Sequence, residues 1–292
     1  MNTILIMAKR NVKMFFRDKA SVFFSFLSVL IIIGLYALFL GDMQVKNIKA
    51  AVGDVKGIRF LIDAWIMAGI IAVNTVTLTL GAFGIMVQDE SKKIMKDFLV
   101  APIKRSSLVA SYVLSSWIIG FIITIIAFII GEAYIVFSGG ELLPFISILK
   151  VIGIIALCIF SSSSMVFLLV SFIKTDSAFA TLSTLIGTLI GFLAGIYVPI
   201  GVLPQAVQSF IKFVPTTHSA VLLRQVFMER PLEMVFAKAP EAITKDFTHS
   251  FGVDITFNNN TITPEIMILI LLGTGLMFFA ISVIRTVRKI NK

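Results

Sequence analysis

The sequence predicts an all-α membrane protein with six transmembrane helices, an N-terminal amphipathic interfacial helix, and outer re-entrant helices between spans five and six. Three observations predict it. Hydrophobic residues make up 58% of the chain and charged residues only 14%, against roughly 45–50% and about 25% in an ordinary soluble domain. A globule of 292 residues cannot bury so much apolar surface. The charges avoid six long apolar runs, each near the roughly 20 residues that cross a bilayer core. The basic residues flanking those runs gather on one side.

Residues 1–19 come first. Lys9, Lys13 and Arg17 recur every four residues, with Ile4, Ala8, Val12 and Phe15 roughly opposite. Such a helix lies along the inner membrane surface. The first apolar run starts only at Ala20 and is long enough to span, so a retained helix is expected rather than a cleaved leader.

The six runs are Ala20–Leu40, Ala64–Val87, Leu108–Ile130, Val151–Ile173, Ala178–Val198 and Ile266–Ile284, none with an acid or base inside its limits. Only Lys174-Thr175-Asp176-Ser177 joins the fourth to the fifth, which predicts a tight antiparallel pair. With the N-terminus placed inside, the inner side holds fifteen of the 25 lysines and arginines. They come from residues 9–19 and the loop after span two, with Lys174 and the tail residues Arg285, Arg288, Lys289 and Lys292. Both termini are then cytoplasmic.

Two further segments do not span. The inner loop 88–107 contains Glu90–Leu99, which reads as one short helix with Ile94 and Phe98, then Met95 and Leu99, four apart. Pro102 ends it, and Ser106 or Ser107 can cap the next span. The outer region 199–264 opens on Pro199-Ile200-Gly201-Val202-Leu203-Pro204. Gln205–Val214 and Ser219–Met228 then read as two short apolar helices around Pro215-Thr216-Thr217, too short to cross. Residues 229–264 turn polar, ending near Asn258-Asn259-Asn260, and read as a small external excursion.

Several chemistries find no support. No Gly-x-x-x-x-Gly-Lys-Ser/Thr phosphate loop occurs, so ATP hydrolysis by that device is not expected here. His218 and His249 form no metal pattern, and Cys158 is the only cysteine, a buried thiol by expectation. Ser161-Ser162-Ser163-Ser164 lacks a local base and is expected to bond its own backbone or a neighbouring helix. Spans without charge argue against a proton-coupled pump or ion channel. Asp63, Glu132 and Lys150 sit near outer span ends and are expected to snorkel. The net charge of +9 does not point to nucleic acid, because it flanks apolar runs and meets lipid headgroups or a cytoplasmic partner. Gly187, Gly191 and Gly195 form a small-residue stripe for helix packing. Asn74 and Thr75 make span two the most polar, for a translocation path or for hydrogen bonds between helices.

This layout resembles the permeases of type-2 ATP-binding-cassette exporters. Pro199, Leu203-Pro204, Ile211, Pro215-Thr216 and Leu223-Arg224 are similar to that family's outer re-entrant segment. Glu90-Ser91-Lys92-Lys93 with Leu99-Val100-Ala101-Pro102-Ile103 is similar to its coupling helix and following proline. Where the family has an Arg-Gly-Thr-like step, this chain reads Lys92-Lys93-Ile94. The resemblance covers the chain as a single transmembrane domain, 1–292.

It implies two permeases side by side in the bilayer, as homodimer or heterodimer, over two separate ATPase subunits that hold ATP and Mg. No cofactor is implied on this chain. Glu90, Lys92, Lys93, Ile94, Met95, Phe98 and Leu99 would couple to the ATPase, with Lys96 helping to steer it. Pro199, Leu203, Pro204 and Pro215 would shape an outer gate. The implied cargo is lipophilic or amphipathic (a drug, antibiotic or peptide), exported across a plasma membrane of bacterial type. Export of a glycan or lipid-linked polysaccharide stays open. So do a secondary transporter or channel working without an ATPase and, lacking a polar catalytic cluster, a lipid-modifying enzyme.

Overall fold

The computed structural model describes residues 3–257 and 260–288. Lys289 and Lys292 of the basic tail, and Asn258-Asn259, lie outside the described residues. Helix α1 (Thr3–Arg17) turns Met7, Ala8, Asn11 and Phe15 inward and leaves Lys9, Lys13 and Arg17 exposed. Asp18 ends it and caps α2 (Lys19–Leu35), accepting the backbone N–H of Ala20 and of Ser21, each at 3.1 Å. The bonds from Ser21 hold its carboxyl below the ordinary carboxylate range. A π-helical turn at Tyr36–Leu40 carries the helix onward into α3 (Gly41–Val52), beyond the limit at Leu40 read from the sequence. Hydropathy marks where a helix leaves lipid, not where its hydrogen bonds stop.

Helix α4 (Ile58–Ala82) is apolar on all sides and buried almost throughout, so it occupies the centre of the bundle. It continues through Phe83 into α5 (Gly84–Ser91), followed by α6 (Ile94–Val100), α7 (Arg105–Phe137) and α8 (Phe145–Val170). Then come α9 (Asp176–Leu193), α10 (Gln205–Ile211), α11 (Pro215–Phe227), α12 (Glu229–Phe236) and α13 (Glu241–Ser250). A two-stranded hairpin, β1 (Thr256–Phe257) with β2 (Asn260–Thr261), leads to α14 (Pro264–Arg288). Among the described residues, six helical stretches are long and apolar enough to cross a membrane: Lys19–Leu38, Ile58–Ser91, Arg105–Phe137, Phe145–Val170, Asp176–Leu193 and Pro264–Thr286.

The six predicted spans are present, with three corrections around them. The fourth and fifth do not form a tight pair. The surface of α8 is taken by α4, α7, α11 and α14, so α9 packs on α4 and α5 instead. Glu90–Leu99 is not one helix, because Lys93 takes φ 64° and separates α5 from α6. That left-handed position suits glycine, and it falls at the middle residue of the Arg-Gly-Thr-like step. Pro215 does not separate two helices but begins one: it is the first residue of α11, where its missing N–H costs nothing. The polar segment 229–264, for which the sequence predicts no secondary structure, contains α12 and α13.

Candidate functional site

Among the described residues, polar contacts join several elements at each end of the bundle. At the basic end, Asp89 is 1% exposed at the close of α5. Arg10 of α1 grips both of its oxygens, Nη1 to Oδ2 at 2.7 Å and Nη2 to Oδ1 at 2.8 Å, and the Tyr112 hydroxyl of α7 donates to Oδ2 at 2.7 Å. Such a two-pronged pair fixes orientation as well as charge. The bonds with Asp89 raise the Arg10 pKa above its ordinary value. Asn11 extends the node, accepting from Arg10 and donating to Ser115 Oγ at 3.3 Å. The Arg10 guanidinium also lies 5.3 Å from the centre of the Phe98 ring. Helices α1, α5, α6 and α7 therefore meet at one arginine.

The predicted coupling residues divide around this node. Lys92, Lys93 and Lys96 are exposed, while Glu90, Ile94, Met95 and Phe98 are half-buried. Met95 and Phe98 pack against the protein's own core, so their apolar stripe is largely covered by this chain. The apolar side chain left open is Val100, 87% exposed. The side chain of Leu99 lies outside what the structure describes.

At the other end, Arg224 of α11 is fully buried. Its Nη2 donates to the carbonyls of Ala194 and Gly195 at 2.8 and 2.9 Å, and Nη1 to that of Gly252 at 3.4 Å. Its guanidinium stands 5.2 Å from the Trp65 ring, and Trp65 donates to the Phe251 carbonyl at 2.8 Å. Among the described residues no carboxylate pairs with it. Instead the carbonyls at the C-terminal end of α9 meet its charge, where the helix dipole is negative. Around it, Tyr36 donates to the Ile196 carbonyl and Thr217 to that of Leu193, the latter at 2.9 Å. Of the predicted gate residues, Pro199 is buried before a short 3-10 turn, Leu203 and Pro215 are half-buried, and Pro204 is exposed ahead of α10. Gln208 ties this turn together through the Leu203 carbonyl at 2.8 Å.

The glycine stripe differs from its expected role. Gly195 lies past the end of α9 with φ 64°, and an added Cβ would come 2.7 Å from Ile200. Gly191 backs onto the Tyr197 ring of its own turn, and Gly187 has nothing within 4 Å. None of the three packs α9 against another span of this chain. Asn74 and Thr75 are buried inside the bundle, Thr75 bonding the Ala72 carbonyl at 2.7 Å and Ser162 at 3.4 Å. Thr75 thus makes a bond to a neighbouring helix, whereas the Asn74 amide nitrogen is buried without a hydrogen-bond partner among the described residues. The four serines are likewise engaged: Ser161 with Thr274, Ser163 with Ser116, and Ser164 with the Phe160 carbonyl.

Asp63 and Glu132 do not snorkel. Asp63 is buried with Arg59 and Tyr134, each 3.2 Å away, and Arg59 reaches on to Asp42 at 2.6 Å. Glu132 is buried because α7 runs to Phe137, and it accepts the Leu143 N–H at 3.0 Å. Neither the Arg10–Asp89–Tyr112 node nor the role of Arg224 was read from the sequence. Two signals were available: an arginine inside the apolar run of α11, and an acid closing span two opposite an N-terminal arginine.

Among the described residues a central helix, α4, packs against α7, α8 and α11, and with six helical stretches able to cross a membrane the fold is that of a multi-pass membrane protein. The chain matches the ABC-2 type transporter family over residues 2–228 and belongs to that family. Membership implies partnership with an ATP-binding-cassette ATPase subunit. No curated protein matches the chain.

Proposed function

We propose that this chain is the permease of an ATP-driven exporter for lipophilic or amphipathic cargo, such as a drug, antibiotic or peptide. ATP and Mg are held by separate ATPase subunits, and two permease chains stand side by side in a plasma membrane with both termini cytoplasmic. In this reading α1 lies along the inner surface and α10–α11 re-enter from the outer side. At 13 residues, α11 is about 20 Å long and falls short of a bilayer core of about 30 Å. The observation that carries the reading, beside family membership, is the Arg10–Asp89–Tyr112 node. A displacement of α6 by an ATPase beneath it reaches α1, α5 and α7 through one set of bonds. At the outer end, Arg224 ties the turn after α9 to α11, so a shift of α11 would carry that turn with it.

The test is transport of an amphipathic dye in proteoliposomes containing the chain and its ATPase. Transport should require ATP. The double charge reversal K92E/K96E should reduce it at least tenfold while the ATPase subunits go on hydrolysing ATP. Uptake driven by an ion gradient with no ATPase present would sink the proposal.

A further inference from the structure

A cleft of about 290 Å³ opens at the basic end, between α5, α6, α7, α8 and α14, roughly ten water molecules' share of liquid volume. Its walls are apolar: Met86, Leu108, Val109, Phe167 and Ile173. Its rim is charged, with Lys93, Lys96 and Arg285 against one acid, Glu90. Among the described residues, none of the three cations has a carboxylate partner. Arg285 is held in place with its charge unmatched: Nη1 donates to Ser171 Oγ at 2.6 Å, and the guanidinium lies 3.2 Å from the centre of the Phe172 ring. Lys93 adds an independent sign. It is the one non-glycine residue with positive φ among those described, a conformation strained for an L-residue. The strained backbone presents a lysine at this cleft where a glycine would fit without strain.

We infer that the cleft binds one molecule of an anionic glycerophospholipid. The phosphate would sit among Lys93, Lys96 and Arg285, with the upper part of an acyl chain against Phe167 and Ile173. Cationic pockets between membrane helices at the cytoplasmic face take such headgroups. Apolar walls alone would accept any detergent or lipid tail, and the lysines alone any phosphate; together they select an anionic amphiphile. The occupant would brace α6 against the ends of α8 and α14, making the position of α6 dependent on the anionic lipid content of the membrane. The inference stands on the cleft and does not depend on which cargo is exported.

The full-length protein in uncharged detergent would be titrated with dioctanoyl-phosphatidylglycerol, dioctanoyl-phosphatidylcholine or inorganic phosphate. Native mass spectrometry counts bound lipid, and a melting curve reports stability. Phosphatidylglycerol should bind and raise Tm, and the other two should not. R285Q and K96Q should each weaken phosphatidylglycerol binding about fivefold. K93G should weaken it similarly while leaving the lipid-free Tm equal or higher, because glycine relieves the left-handed backbone. That opposite pair of responses separates a lost ligand contact from a damaged fold. K9Q/K13Q, on the open face of α1, should leave the affinity unchanged. Equal binding of phosphatidylcholine, an equal effect of free phosphate, or wild-type affinity in R285Q, K96Q and K93G would overturn the inference.

Discussion

A guanidinium taken out of water with no carboxylate beside it is tolerated only where its N–H groups find fixed acceptors. Arg224 finds three, the carbonyls of Ala194, Gly195 and Gly252, with the Trp65 face against its plane. The donors must reach two chain segments at once. A lysine carries the same charge but not the planar fork, so it cannot bridge them. R224K should therefore behave as a disruptive substitution. Each buried carbonyl left without a donor costs about 1–3 kcal/mol, so a loss above about 2 kcal/mol is expected. Equilibrium unfolding in mixed micelles measures it, and hydrogen exchange should rise first in residues 194–203. Unchanged stability in R224K would mean that Trp65 packing alone holds the turn.

Between elements, the same question concerns how α1 is held to the bundle. Its buried face is short (Met7, Ala8, Asn11 and Phe15), so the Arg10–Asp89 pair has a large share of the attachment. Removing one partner of a buried pair costs roughly 3–5 kcal/mol because the other charge is left stranded. Arg10 is about 30% exposed, which lowers the expected cost of R10Q to about 2 kcal/mol. Adding D89N should recover part of that loss, since no buried carboxylate then remains. Exchange protection in α1 should fall in R10Q while that of α4 holds. Additive effects of the two substitutions would show the pair to be decorative.

These elements also show what the sequence could and could not disclose. The six spans were legible because long apolar runs register the solvent around a helix. Helix ends were not: α7 continues to Phe137, seven residues past Ile130, because its polar outer turn still completes backbone hydrogen bonds. The break at Lys93 was hidden because nothing in Lys-Lys-Ile signals a left-handed residue. The inner apolar stripe was visible, but not that Arg10 and the core cover much of it. Pairings such as Arg10 with Asp89, 79 positions apart, belong to tertiary structure and leave no local pattern.

At the scale of the whole molecule, the spans differ sharply in how much of themselves they bury. Within its most apolar stretch α4 is 83% buried, whereas α2 is 18% and α9 only 11% buried. Lipid can cover an apolar face, and Leu185, Leu189 and Phe192 of α9 would suit it. The same helix also exposes Thr181, Thr184 and Thr188, each hydroxyl already bonded to a carbonyl four residues back, and carries half-buried Gly187, where an added Cβ would meet nothing within 4 Å. Small residues and self-satisfied hydroxyls bring little contact to acyl chains, but they allow another helix to approach closely. Gly187, with open space beside it and the three threonines around it, is therefore expected to meet a second permease along α9. The test starts from C158A, which removes the only thiol, a buried one. S183C or G187C on that background should give an oxidised dimer in native membranes, whereas L269C on the lipid-facing side of α14 should not. Crosslinking at Leu269 with none at Ser183 or Gly187 would move the pair to the opposite face. It would leave the exposed threonines of α9 looking into lipid.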